Sequence, residues 1–180
     1  LLLGAGGAAR GVILPLLLHL RRRNLRVARR ALQLQLLQAR NFPEVVSQGR
    51  LLLAEARAIG AREESVLILA SIADAHTRLS QRADAEREAR AATAEAEQLG
   101  DDLLIADARL RLGAALIEVS PHESLLEFEA ARQRFDARGN RFGVIRCLVN
   151  SGIIHARRGA GESAQQAYEQ AQRAAEEANI

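Results

Sequence analysis

Arg146, Asn150 and Arg157 are the polar side chains best placed for recognition chemistry in this chain. Their spacing of four and seven residues puts them on one helix face, together with Val149 and Ile153. Guanidinium and amide groups on one face can donate several charge-assisted hydrogen bonds to a carboxylate. Val149 and Ile153 would then floor the adjoining apolar side chain. About one repeat earlier, Asp107, Leu110, Ala114 and Ile117 follow the same three-and-four spacing and occupy the matching face. These nine residues are expected to line one binding surface. The competing arrangement is an internal pair between Arg146 and Asp107, which would make the arginine structural.

Residues for catalysis are sparse. All 25 basic residues are Arg, so there is no Lys for a Schiff base or a general base. Cys147 is the single cysteine, which excludes an internal disulfide and a cysteine-based zinc site. A reduced, cytoplasmic setting fits. His19, His76, His122 and His155 are scattered, and no two have metal-ligand spacing. No Ser/His/Asp set suggests a nucleophile. The expectation is a protein that is not an enzyme and needs no cofactor or metal.

The elements that position the nine residues come from an internal repeat. Short stretches ending in Gly or Asn, "ARAIGARE", "AEQLGDDL", "FDARGNRF" and "EEANI", place Gly60, Gly100, Gly139 and Asn179 at intervals of 40, 39 and 40. Gly, or Asn as second choice, suits the left-handed residue just past a helix end. Counting back from each stop, three residues share a helix face: Val45, Gly49 and Leu52; Ala85, Ala89 and Ala92; Ser124, Phe128 and Ala131; Ala164, Tyr168 and Ala171. Before each set runs another helical stretch, about 25–40, 65–79, 103–119 and 142–158. The last three carry a small residue near the centre, Ala73, Gly113 and Gly152, where a neighbouring helix can come close. The first has Gln33 and Leu34 there. Ser120 with Pro121 reads as a helix start, and the acids of "REE" and "GDD" suit first turns, where the helix dipole favours them.

The predicted fold is therefore all-α: antiparallel helix hairpins, one about every 40 residues, stacked into an α-α superhelix. The units span about 25–63, 64–102, 103–140 and 141–180, after an apolar, Arg-rich segment at 1–24. The pattern resembles the tetratricopeptide repeat, in the stretched form found in bacterial signalling and transcription regulators. It shows best in "LVNSGIIHARRGAGESAQQAYEQAQRAAEEAN", where Gly152, Ala164, Tyr168 and Ala171 fall at that family's small, small, aromatic and small positions. The family's early aromatic and closing Pro are missing. The resemblance implies protein or peptide binding in the concave groove of a right-handed superhelix, within a larger bacterial regulator. An array of this kind buries each hairpin only against its neighbours, which also gives the expectation of self-association through uncovered stacking faces.

The opening "LLLGAGGAARGVILPLLL" has two readings. One is a small-residue helix of a preceding repeat, ending near Asn24 with Gly and Ala on a packing face. The other is a strand, phosphate-binding turn and helix. Gly4, Gly6 and Gly7 resemble the cofactor-binding turn of shikimate dehydrogenases, with "LRVARR" at 25–30 standing for that family's second strand and phosphate-binding Arg. That resemblance would make the chain a nicotinamide-binding enzyme fragment. Only one βαβ unit fits in these residues, and they hold neither that family's catalytic domain nor a Lys to serve as its catalytic Lys. The third alternative is a dimerisation scaffold.

Charge separates the same segment from the rest. Residues 1–40 hold eight Arg and no acid, while 41–180 hold 17 Arg and 22 acids, which gives the net +3. Aromatics make up only 3% and none interleaves the Arg run at 21–30, so a solvated helix face is expected there, not a nucleic-acid site. The apolar run at 11–20 is too short to span a membrane.

Overall fold

A computed structural model describes residues 6–38 and 41–179, with side chains from Leu17 onward. Among the described residues there are eight helices and no strand. They are α1 (Gly6–Leu37), α2 (Phe42–Ala58), α3 (Arg62–Arg78), α4 (Arg82–Leu99), α5 (Asp102–Leu116), α6 (Pro121–Ala137), α7 (Arg141–Arg157) and α8 (Gly161–Ala178). Each helix packs on the next, so the chain is a run of consecutive hairpins. The odd-numbered helices also touch one another, α1 on α3, α3 on α5 and α5 on α7, whereas even-numbered helices lie further apart. The odd helices therefore form the inner layer of a curved array.

The helix stops sit where the glycines require. Gly60, Gly100 and Gly139 have φ of 65°, 72° and 66°, and Asn179 has 53°. The turns inside the hairpins use the same device at Ser80 (φ 58°) and Gly159 (φ 72°). The repeat therefore has a half-period of about 20 residues, one helix and its stop. Ser80 escaped the sequence pattern because serine seldom occupies this conformation. Starts are capped as well. Asp101 Oδ1 accepts from the Leu104 amide at 2.9 Å, and Asn140 Oδ1 from that of Gly143 at 2.9 Å. Ser120 occupies the N-cap of α6 with Pro121 behind it, but its side chain makes no capping bond.

Size complementarity locks each hairpin. Gly113 on α5 lies against the Phe128 ring on α6, and Gly152 on α7 against the Tyr168 ring on α8. Between α3 and α4 both sides are small, and Ala73 clusters with Ala85 and Ala89. In the first hairpin the sizes are reversed: Gly49 of α2 receives Leu32 of α1 and, from the next unit, Ile72. The irregular Gln33 and Leu34 are thereby explained, because there the gap lies on the second helix.

The opening segment requires a correction. The helix expected to end near Asn24 does not end there: α1 runs unbroken from Gly6 to Leu37. No left-handed residue interrupts it, and Leu25 and Leu32, two turns apart, are both 1% exposed against α2 and α3. Residues 25–30, a strand in the dehydrogenase comparison, are helical for the same reason. Gly6 and Gly7 form the first turn of α1; Gly4 lies outside the described residues.

Candidate functional site

The inner layer leaves an open groove lined by Leu36 and Leu37 of α1, Asp74, Thr77 and Arg78 of α3, Ala114 and Ile117 on the α5 side, and Arg146 and Asn150 of α7. Four expected residues, Ala114, Ile117, Arg146 and Asn150, thus meet in it across two repeats. Val149 is 37% exposed and Ile153 half-buried on the same helix. Leu110 is a correction. It is 1% exposed and packs with Phe128, Val144 and Cys147 in the core, one helical step away from the groove.

A ladder of charges crosses the groove floor. Asp74 of α3 pairs with Arg111 of α5. The Arg111 Nε donates to Asp107 Oδ2 at 2.9 Å, and Asp107 Oδ1 faces Arg146 Nη1 of α7 at 3.6 Å. Three successive inner helices are joined in this way. Burial, with the neighbouring Arg146 charge, pulls the Arg111 guanidinium down to about 10, which leaves it charged at neutral pH. Burial raises the Asp107 carboxyl, and Arg146 opposes the rise. Arg146 also stands 5.9 Å over the Phe142 ring.

The internal pair weighed against a ligand role for Arg146 is therefore present. Asn150 Nδ2 donates to the Arg146 carbonyl one turn back, at 2.9 Å. Arg157 pairs with Glu118. Arg146 and Arg157 stand eleven residues apart, about 16 Å along the helix. They do not converge on one carboxylate, contrary to expectation. Sharing a face is an angular property, and it does not bring residues three turns apart together.

Asp74 and Arg111 were missed from sequence, although a signal existed. Opposite charges recur about one repeat apart: Arg50 with Glu88 at 3.5 Å, Arg57 with Glu95 at 2.7 Å, Arg138 with Asp102 at 2.7 Å, and the Asp74, Asp107 and Glu118 pairs. The first two pairs bridge α2 and α4, whose backbones stay apart, so only a long arginine reaches across. Arg29 links the packed pair α1 and α3, with its Nε donating to Glu64 of α3 at 2.5 Å.

Two further candidate groups are buried. His76 is buried, with Nδ1 at 2.6 Å from Gln81 Oε1. Cys147 is buried, which pushes its thiol up to about 12. Among the described residues no group of three His, Cys, Asp or Glu side chains is placed to hold a metal ion, and no helix is long and apolar enough to cross a membrane. No protein-family model matches the chain, and no curated protein matches it.

Proposed function

We propose that this chain is a protein- or peptide-binding repeat module, with the groove of α1, α3, α5 and α7 as its binding surface. The observation that carries the reading is the character of that groove. Two of its three charged lining residues, Asp74 and Arg146, are held in the ladder, while an apolar side chain stands out of it: Leu37 is 77% exposed. A surface whose charges are mostly paired already needs little reorganisation to accept an apolar partner. A partner carboxylate, where one is offered, meets Arg146 or the exposed Arg78. Arg146 keeps 38% of its side chain exposed and holds Asp107 only at 3.6 Å, so its charge is available for sharing. The likeness to the stretched tetratricopeptide repeat supports the same use, as the sensory or docking part of a larger regulatory protein.

The test is a displayed random-peptide library selected on the immobilised chain. Selected peptides are expected to lose binding to Leu37→Asp and Ala114→Trp. They should keep it with Leu126→Asp, a 58% exposed position on α6 of the outer layer. An empty selection, or peptides indifferent to both groove variants, overturns the reading.

A further inference from the structure

We propose that the outer face of α1 is a second docking surface, a coiled-coil seam that takes an acidic amphipathic helix of a partner protein. The inference does not rest on the groove reading, since none of the seam residues from Leu17 to Leu34 lines the groove.

Leu17, Leu20, Asn24, Val27, Ala31 and Leu34 follow one another at intervals of three, four, three, four and three. That is the alternation of a and d positions in a heptad repeat, with Leu17, Asn24 and Ala31 at a and Leu20, Val27 and Leu34 at d. All six are exposed, the four larger apolar ones by 50%, 43%, 62% and 53% in chain order. The buried Leu25 and Leu32 point the other way, into α2 and α3. The seam runs about 26 Å along the helix. Residues 17–24 are exposed without exception, so none of their side chains is buried against another described residue. Isolated helical segments of such length are marginal in water, and a packing partner would stabilise this one.

Charge selects the partner. Helix α1 contains seven Arg and no acidic residue. Arg21 falls at an e position and Arg23 and Arg30 at g positions, flanking the seam, and all three are exposed. Glutamates at the e and g positions of a partner helix would lie against them. A second α1 would bring the same positive charge, so like-charge repulsion opposes self-pairing. A lipid surface fits less well, because the stripe is narrow and carries Asn24 at its centre, where an interfacial helix would bury an unbroken apolar face. A single polar residue at an a position is, by contrast, a known means of setting register between paired helices.

The experiment titrates the full chain into a labelled synthetic peptide of roughly three heptads with Leu at a and d and Glu at e and g. Controls are a peptide of the same composition in scrambled order and one with Lys for Glu. Binding is expected for the acidic heptad peptide alone, weakening as salt rises. Val27→Glu should weaken it by at least about tenfold. Arg23→Glu with Arg30→Glu should shift preference to the Lys peptide. Because these positions are exposed, circular dichroism should show unchanged helicity. No binding, equal binding of the scrambled peptide, or indifference to Val27→Glu overturns the proposal. So does a chain that sediments as a dimer until Val27→Glu is introduced, which would name a second copy as the occupant. Binding to anionic vesicles in place of the peptide overturns it as well.

Discussion

The Phe128 ring closes directly on Gly113: a Cβ on that glycine would lie 2.7 Å from Cε1 and 2.8 Å from Cδ1, and Phe128 is 0% exposed. Gly152 and Tyr168 make the equivalent contact, with 2.5 Å to Cε1, but Tyr168 is 40% exposed. The difference predicts an order. Gly113→Ala gains up to about 1 kcal/mol of helix propensity and loses about 1–3 kcal/mol to overpacking, because the ring has nowhere to move. In Gly152→Ala the tyrosine ring can swing toward solvent, so the variant should be close to wild type. Urea unfolding of the two variants checks this, and a Gly152→Ala that is the less stable contradicts it.

Arg111 is the central member of the inner ladder, with 12% of its side chain exposed and a carboxylate on either side. Arg111→Ala strands Asp74, leaves Asp107 with only Arg146 at 3.6 Å, and should destabilise the chain by about 3 kcal/mol, the lower end for breaking a buried pair, since Asp74 remains one-third exposed. Arg146→Ala, at a more exposed site, should lose less than about 1 kcal/mol. Replacing the set together, Arg111→Met with Asp74→Asn and Asp107→Asn, should recover much of the loss. Thermal melting of the three variants gives the order.

Ser80 holds φ at 58° in the α3–α4 turn, with its side chain exposed. A left-handed conformation costs a non-glycine residue about 1–2 kcal/mol, and part of that is offset by the greater freedom of glycine in the unfolded chain. Ser80→Gly should therefore stabilise the protein by about 0.5–1 kcal/mol. A lower melting temperature for this variant would contradict the backbone assignment.

Cys147 packs beside Phe128 and Phe135 in the core, and its thiol is held near 12 by burial. At neutral pH the native chain should react with a thiol-specific disulfide reagent only as fast as it opens, and immediately in denaturant. A native rate matching that of a free thiol would contradict the burial.

The periodic features of this protein were legible in its sequence. Gly60, Gly100, Gly139 and Asn179 mark the ends of helices because few other residues tolerate a left-handed backbone, so composition alone reports the turn. The alanine and glycine faces followed from the 3.6-residue period, which is a local property of the chain. The sequence misled at Asn24, where the helix continues because Leu25 and Leu32 find partners on α2 and α3, contacts that no local signal encodes. It misled at Leu110, because periodicity gives a direction around the helix but not the depth at which the neighbouring helix sits. Above all, Arg146 could be read equally as a ligand donor or as a partner of Asp107. Distance between repeats places its Nη1 3.6 Å from Asp107, and that distance is set by how the hairpins stack. Only the tertiary structure placed Asp74, Arg111, Asp107 and Arg146 in one line across three helices, and only there did the exposed seam of α1 separate from its buried side.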